Sequence, residues 1–305
     1  MLDVYKIRKD FPILGKKVNN TDLIYFDNAA TSQTPNQVID VISSYYKENN
    51  SNIHRGLHSL SADATNKYEN SRSIIKNHFG AAHDHEIIFT SGTTHGINII
   101  SSGLEKFISS KDELIVSEME HHSNIVPWQM LCEKTGSKLK VIPINDDGTL
   151  DMDEYKSLLT PKVKFVFINH VSNTLGIVNP IKEIIDLAHR NGSKVLVDGA
   201  QGAAHFKINL QELDVDYYVA SAHKLCGPTG VGKTKLSIKL AKSLNCEIIS
   251  ADSRQFYKEM LIGTCPPNKS QLLEVKHHFI HNISVQNDYS AGLYQKDVLK
   301  IINKL

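Results

Sequence analysis

The chain has 305 residues, a length that accommodates one large or two modest domains with a sizeable core. Its 41% hydrophobic and 22% charged residues and its net charge of +1 exclude a disordered chain and argue against a nucleic-acid binder. The charged N-terminus argues against a signal peptide, and no run of about 20 apolar residues predicts a membrane span. The four cysteines show no C-x-x-C spacing, so neither a disulfide framework nor a zinc site is indicated. These features together predict a cytoplasmic protein.

From residue 86 onward, short apolar runs alternate with helix-length segments. The predicted strands are Glu86–Thr90, Glu113–Ser117, Lys138–Pro143, Val163–Ile168, Lys194–Asp198 and Asp216–Ser221, and the predicted helices include Gly96–Phe107, Asn124–Thr135 and Ile181–Arg190. Continuous apolar strands joined by long crossovers predict an α/β fold with a parallel sheet covered by helices on both faces.

The pattern starts again after residue 227. We predict a helix over Lys233–Leu244, a strand over Glu247–Ser250, a loop over Gly263–Ser270 and a terminal helix over Ala291–Lys304. A nucleotide-binding domain needs further strands, but no third or fourth strand with its helix is apparent in this part. We therefore expect the domain to be incomplete.

Polar residues follow successive predicted strands, where parallel sheets bind their ligands. They are Thr93 and Thr94, His121, Asn173, Asp198 with Gln201, and Ser221 with His223 and Lys224. Each alone has an ordinary explanation, such as a helix cap or a solvated charge. Together they indicate a pyridoxal-phosphate (PLP) site, which needs a Schiff-base lysine, an acid for the ring nitrogen and donors for the phosphate.

A second motif begins where the first ends. Residues 227–234 read G-x-x-x-x-G-K-T, a phosphate loop in which Gly227, Gly230 and Gly232 let backbone N–H groups converge on phosphate oxygens. Lys233 would reach the terminal phosphates and Thr234 a magnesium ion or a phosphate oxygen. Residues 227–230 therefore belong both to the segment that follows the candidate Schiff-base lysine, Lys224, and to the phosphate loop.

Residues 1 to about 230 resemble the class V aminotransferase family, in its cysteine desulfurase and selenocysteine lyase branch. The motifs that carry this resemblance are Phe26–Ala30, Ile53–His58, Ser91–Asn98, Glu118–Gln129 and Val197–Gln201. It implies the large domain of a fold-type-I PLP enzyme that converts L-cysteine or selenocysteine to L-alanine, in the service of iron–sulfur cluster assembly.

The resemblance also implies a role for each site residue. Lys224 would bind the cofactor covalently, Asp198 would pair with the ring nitrogen, and His121 would stack on the ring. Gln201 would donate to the ring oxygen, and Asn173 would lie near that oxygen and the substrate carboxylate. The phosphate would be held by the turn containing Thr93 together with Thr94, Ser221 and His223.

The chain also departs from this family. The persulfide-forming cysteine and the carboxylate-binding arginine of the family lie far beyond the lysine, whereas 81 residues follow Lys224 here. None of the four cysteines matches that nucleophile. We therefore expect the C-terminal part of the large domain to be missing, sulfur transfer to be lost and the family's homodimer interface to be incomplete.

Residues 227–305 resemble the N-terminal part of tRNA dimethylallyltransferase. The resemblance is carried by Gly227–Thr234, Ile248–Lys258, Ile262–Thr264 and Tyr289–Ala291. It implies binding of an isoprenoid pyrophosphate and tRNA, with Asp252 as the general base at an adenosine amine. The sequence departs from the family at Thr264–Pro266, and the tRNA-gripping part of the family is not recognisable.

Three hypotheses follow for a chain divided into segments 1–226 and 227–305. The first is a PLP-binding, desulfurase-like protein, which covers most of the sequence. The second is a tRNA-modifying phosphate-loop protein. The third is a chimera with neither activity, joined at Gly227–Gly230 by recombination or as an artefact of sequence assembly.

Overall fold

The computed structural model describes residues 3–228, 241–242, 246–250, 256–259, 269–287, 289 and 291–302. The chain divides into two compact units, Met1–Thr229 and Gly230–Leu305. The larger unit contains the central sheet.

The N-terminal part of the larger unit is largely helical and exposed. Its elements are α1 (Val4–Arg8), β1 (Lys17–Val18), β2 (Thr21–Asp22), α2 (Asn36–Ser44) and α3 (Ser59–Phe79). β1 and β2 pair antiparallel. The long helix α3 ends at Gly80, whose φ of +65° lies in the left-handed region that favours glycine at a helix C-terminus.

Five parallel strands form the central sheet of this unit in the order β4-β3-β5-β6-β7. They are β3 (Glu113–Ser117), β4 (Lys138–Ile142), β5 (Val163–Asn169), β6 (Lys194–Asp198) and β7 (Tyr217–Val219). The helices of this region are α4 (Thr93–Leu104), α5 (Val126–Thr135), α6 (Met152–Leu158), α7 (Ile181–Arg190), α8 (Gly202–His205) and α9 (Leu210–Leu213). The non-sequential order requires crossovers, as expected for a parallel sheet.

Alternating side chains of β5 enter two separate apolar layers. Val166 and Ile168 pack with the apolar face of α7, including Ile184, on one side of the sheet. Phe165 and Phe167 pack on the other side with residues of α4 and α5. Both sheet faces are therefore buried, which explains why the inner strands β3, β5 and β6 are mainly apolar on both faces.

The predicted fold class is confirmed, and several bounds agree closely. Glu113–Ser117, Lys194–Asp198 and Ile181–Arg190 form the predicted elements over the same residues. The predicted strand Glu86–Thr90 was wrong. Asp84–Glu86 form a short turn of 3₁₀ helix, and the carbonyl of Ile87 accepts a hydrogen bond from the Arg72 guanidinium rather than from a neighbouring strand.

In the smaller unit, β8 (Ile248–Ile249) pairs in parallel with β9 (His277–His278). Two helices are described, α10 (Lys269–Glu274) and α11 (Ala291–Ile302). The first strand and the last helix agree with the sequence prediction within a few residues. The strand at residues 277–278 was missed, and the last two residues of the predicted loop Gly263–Ser270 belong to α10.

Candidate cofactor site

Most of the predicted site residues of the larger unit lie at or just after the carboxyl ends of four adjacent strands. His121 follows β3, Asn173 follows β5, Asp198 ends β6, and Ser221 and Lys224 follow β7. Because these strands are neighbours in the sheet, their ends form one continuous edge. That edge is where an open α/β sheet binds its ligands.

Hydroxyl groups gather at the beginning of α4. The Ser221 hydroxyl accepts a hydrogen bond from the Thr93 N–H at 2.9 Å and lies 2.7 Å from the Thr93 hydroxyl. Gly92 precedes the helix with a φ of +128°, and a Cβ on it would lie 3.4 Å from the Ser221 oxygen. Thr94 is exposed in the first turn. Hydroxyls around a helix N-terminus form a favourable environment for a phosphate group.

Asp198 is a buried carboxyl that interacts with the charge of Lys224. Its side chain is 5% exposed, and its Oδ1 accepts a hydrogen bond from the Ala200 N–H at 2.9 Å. Burial raises the pKa of Asp198, whereas the Ala200 N–H and the positive charge of Lys224 lower it. A carboxylate in such a position is stabilised by a cation placed beside it.

The segment that carries Lys224 is attached to the N-terminal part of the unit. The carbonyl of His223 accepts hydrogen bonds from the Ser32 N–H and hydroxyl, both at 2.9 Å, and from the Thr31 hydroxyl at 3.2 Å. The Ser32 hydroxyl also accepts from the Cys226 N–H at 2.7 Å. These contacts fix the backbone on both sides of Lys224.

Gln201 and Asn173 line a common cavity of about 440 Å³. The Gln201 amide is buried and donates a hydrogen bond to the Ala29 carbonyl at 2.7 Å. Asn173 is partly exposed. The cavity also contacts His205 and Phe206, at the end of α8.

The exposed His121 ring is oriented by Ser123. The Ser123 N–H donates to His121 Nδ1 at 3.1 Å, and the Ser123 hydroxyl lies 2.8 Å from the same atom. Because Nδ1 accepts a backbone hydrogen bond, the neutral ring carries its proton on Nε2.

A buried carboxyl that the sequence analysis missed, Glu120, lies directly before His121. Its Oε1 accepts hydrogen bonds from the Ser117 hydroxyl at 2.6 Å and from the Asn169 N–H at 2.8 Å. Its Oε2 accepts from the Asn124 amide at 2.6 Å, and Asn124 accepts from the indole N–H of Trp128 at 3.0 Å. The available signal was a glutamate three residues after a strand with an apolar centre and directly before the predicted site residue His121.

Most of the predicted phosphate loop falls outside the described residues. This applies to Gly230, Gly232, Lys233 and Thr234. The candidate base Asp252 and most of the predicted helix Lys233–Leu244 also lie outside the described residues. Gly227 is described, and its N–H donates to the Ala222 carbonyl at 2.8 Å.

Within the described ranges, no group of three His, Cys, Asp or Glu side chains is arranged to bind a metal ion. In that same part of the chain, no helix has both the length and the apolar character needed to cross a bilayer.

The fold and the strand-end site define a protein of the class V aminotransferase type. The profile of the family described as aminotransferase class-V matches residues 24–255, and the chain belongs to this family. A profile of the isopentenyl transferase family matches residues 220–300, so the two matches overlap around the predicted phosphate loop.

Individual relatives and solved structures agree with this family. A cysteine desulfurase of Shigella sonnei is 48% identical over 230 residues, covering 75% of this chain and 57% of that protein. One of Synechococcus elongatus is 47% identical over 231 residues, covering 75% and 37%. The apo structure of a Thermococcus onnurineus cysteine desulfurase matches with a TM-score of 0.70 and 38% identity, covering 75% and 56%. The chain therefore spans about half the length, or less, of these relatives.

Proposed function

We propose that residues 1–226 form the large domain of a cysteine desulfurase-like protein that binds PLP through Lys224. The observation that carries this proposal is the placement of buried Asp198 at the end of β6, next to β7, the strand that Lys224 follows. The charge of Lys224 lowers the pKa of Asp198, in keeping with this placement. A PLP site needs an acid for the ring nitrogen and an amine for the aldehyde. The relatives described above from Shigella sonnei and Synechococcus elongatus are named cysteine desulfurases, which supports the class.

The chemistry of the available donors fits PLP. The hydroxyls of Thr93 and Ser221, at the N-terminus of α4, fit the phosphate dianion. Asp198 fits a protonated ring nitrogen, because a cation there offsets the cost of burying its carboxylate. The remaining roles in the proposal are phosphate contacts by Thr94 and His223, a ring-oxygen contact by Gln201, stacking by His121 and a substrate contact by Asn173.

When bound, PLP supplies an electron sink that stabilises negative charge at the substrate Cα. The part of this chain is to hold the group and its protons. The charge of Asp198 would retain the proton on the ring nitrogen, and the hydrogen bond from the Ser123 N–H keeps His121 in one orientation. We propose L-cysteine or selenocysteine as the amino-acid substrate class, from the names of the relatives and the family resemblance.

We further propose that this chain transfers no sulfur from cysteine. Cys132 lies buried in α5, where burial raises the pKa of its thiol. Cys226 follows Lys224 by two residues with a φ of +60°, and Cys246 belongs to the smaller unit. A persulfide nucleophile needs an accessible, readily ionised thiol, which the buried Cys132 does not provide. Cys265 lies outside the described residues, and in the sequence none of the four cysteines matches the nucleophile of the family.

Chemical trapping tests the cofactor proposal. The protein is incubated with PLP, reduced with borohydride and digested, and the modified peptide is identified by mass spectrometry. We expect the label on Lys224 and its loss in Lys224→Ala. Lys207→Ala, which removes an exposed lysine, serves as the control. Equal labelling of Lys224→Ala and the unmodified protein would refute the proposal.

A second candidate function rests on the isopentenyl transferase match over residues 220–300. In this hypothesis residues 227–234 bind the pyrophosphate of an isoprenoid donor, with magnesium at Thr234, and Asp252 acts on tRNA. Calorimetric titration with isoprenoid pyrophosphate, with and without magnesium, tests it. Binding that Lys233→Ala abolishes would support it, because this change removes the positive charge that would contact the phosphates.

The overlap of the two family matches over residues 220–255 supports a junction between two different proteins. We propose domain limits of 1–226 and 227–305 on this basis. A chimera with neither activity predicts that the purified chain binds neither PLP nor the pyrophosphate. Trapping of PLP on Lys224 alone would leave the first segment as the functional one.

A further inference from the structure

Glu120 joins three elements around the candidate cofactor site. Its carboxylate accepts hydrogen bonds from Ser117 at the end of β3, from Asn169 at the end of β5 and from Asn124 just before α5. Glu120 is 8% exposed, whereas the adjacent His121 is exposed. The carboxylate therefore fixes the segment that presents His121 at the sheet edge.

Glu120 also lies close enough to Asp198 for their charges to interact. Asn169, which donates its N–H to Glu120, is the direct register partner of Asp198 in the β5–β6 pair. The pKa of Glu120 is raised to about 8, chiefly by burial. The charge of Asp198 also raises this pKa, whereas the three hydrogen bonds to the carboxylate lower it. Two buried carboxyls at one sheet edge resist simultaneous ionisation.

We propose that Glu120 is a positioning residue of the cofactor site, which holds the His121 segment and through its own charge strengthens the binding of a cation at Asp198. This inference rests on the proposed PLP site, because the cation in question is the protonated ring nitrogen. It concerns a residue outside the set that would touch the cofactor.

The sign of the coupling follows from the charges. Ionised Glu120 adds negative charge near Asp198 and favours a cation there, whereas protonated Glu120 does not. By reciprocity, a cation at Asp198 favours the ionised form of Glu120. From β6, the charged group that interacts with Glu120 is Asp198, which also interacts with the charge of Lys224. The hydrogen-bond partners of Glu120 from β3, β5 and the segment before α5 are uncharged: Ser117, Asn169 and Asn124.

The test compares PLP dissociation constants as a function of pH for the full chain and for Glu120→Gln. Glu183→Gln, which makes the same change at an exposed site on α7, is the control. We expect the affinities of Glu120→Gln and the unmodified protein to be similar at pH values where Glu120 is protonated. Above about pH 8 the unmodified protein should bind about fivefold more tightly or better, an effect of the size of typical site–site couplings. The control should follow the unmodified protein throughout.

A structural role alone would weaken binding by the same factor at every pH, because loss of packing does not depend on the charge of Glu120. A pH-independent ratio would therefore overturn the inference while leaving the proposed function intact. Failure of the unmodified protein to bind PLP would instead refute the proposed function.

Trp128 provides a second readout that needs no cofactor. It is the one tryptophan of the sequence, and Asn124 links its indole N–H to Glu120. We expect its fluorescence in the unmodified protein to change with pH around 8, and the change to be absent in Glu120→Gln. If the variant does not fold, the unmodified protein still decides: a flat fluorescence titration between about pH 6 and 10 would contradict the inference.

Discussion

The hydroxyl of Ser221 accepts a hydrogen bond from the Thr93 N–H at 2.9 Å, across 128 residues of sequence. Both side chains are buried, so this contact joins the beginning of α4 to the end of β7. Ser221 satisfies an N–H group at the helix N-terminus that the helix itself leaves unpaired. The same hydroxyl is a phosphate ligand in the proposed function, so this oxygen atom would contribute both to the stability of the fold and to cofactor binding.

Ser221→Ala should lower both stability and PLP affinity. It leaves the buried Thr93 N–H without its acceptor, a loss of about 1–3 kcal/mol. Thr94→Ala is the matched comparison, because Thr94 is exposed in the same turn and should affect binding with little change in stability. Urea unfolding and PLP titration of both variants separate the two effects. A Ser221→Ala protein as stable as the unmodified one would contradict the buried contact.

Gly199→Ala should displace the loop that carries Asp198 and Gln201. A Cβ at Gly199 would collide with the Tyr218 ring, so either the ring or the loop must move. We expect a stability loss of about 1–3 kcal/mol, typical of overpacking, together with weaker PLP binding. Thermal unfolding and PLP titration measure both.

Gly103→Ala is the control for this change. Gly103 lies in α4 with nothing near its missing Cβ, and alanine there should stabilise the helix by about 0.5–1 kcal/mol. Equal effects of the two substitutions would show that the crowding at Tyr218 has no consequence.

The sequence predicted those features that depend on local pattern. Continuous apolar runs such as Val163–Ile168 and the strand-end position of Asp198 follow from the parallel-sheet pattern, and the observed sheet contains them, while Lys224 lies in the turn that follows β7. The burial of Glu120 depends on the approach of Asn169, 49 residues away, which no local pattern records. The strand predicted at Glu86–Thr90 is not formed, and the Ile87 carbonyl accepts a hydrogen bond from Arg72 of α3, another contact that no local pattern records.

Phe167→Ala should destabilise the larger unit by about 3–5 kcal/mol, the usual cost of removing a buried aromatic ring. Phe167 is fully buried and stacks on Trp128 with ring centroids 3.5 Å apart. Phe107→Ala, at a residue that is 75% exposed, should change stability little. Chemical unfolding monitored by circular dichroism compares the two variants. Similar midpoints would indicate that the layer formed by α4 and α5 does not depend on this stack.

Asp216 should make the larger unit sensitive to acid. Burial alone would raise its pKa, but hydrogen bonds from the Val195 N–H, His189 and Lys194 outweigh burial and lower it. A carboxyl with a lowered pKa in the folded state contributes stability above its unfolded value, which is lost as the pH falls through the folded value. We therefore expect the free energy of unfolding to decline below about pH 4.

Asp216→Asn should lose about 1–2 kcal/mol of stability at neutral pH and show a weaker decline in acid, because the variant has no carboxylate to protonate. Asp214→Asn provides the control, since Asp214 is exposed and contacts the same His189 at 3.3 Å. Urea unfolding at neutral and acid pH makes the comparison, and an acid decline as steep in Asp216→Asn as in the unmodified protein would assign the acid sensitivity to other carboxylates.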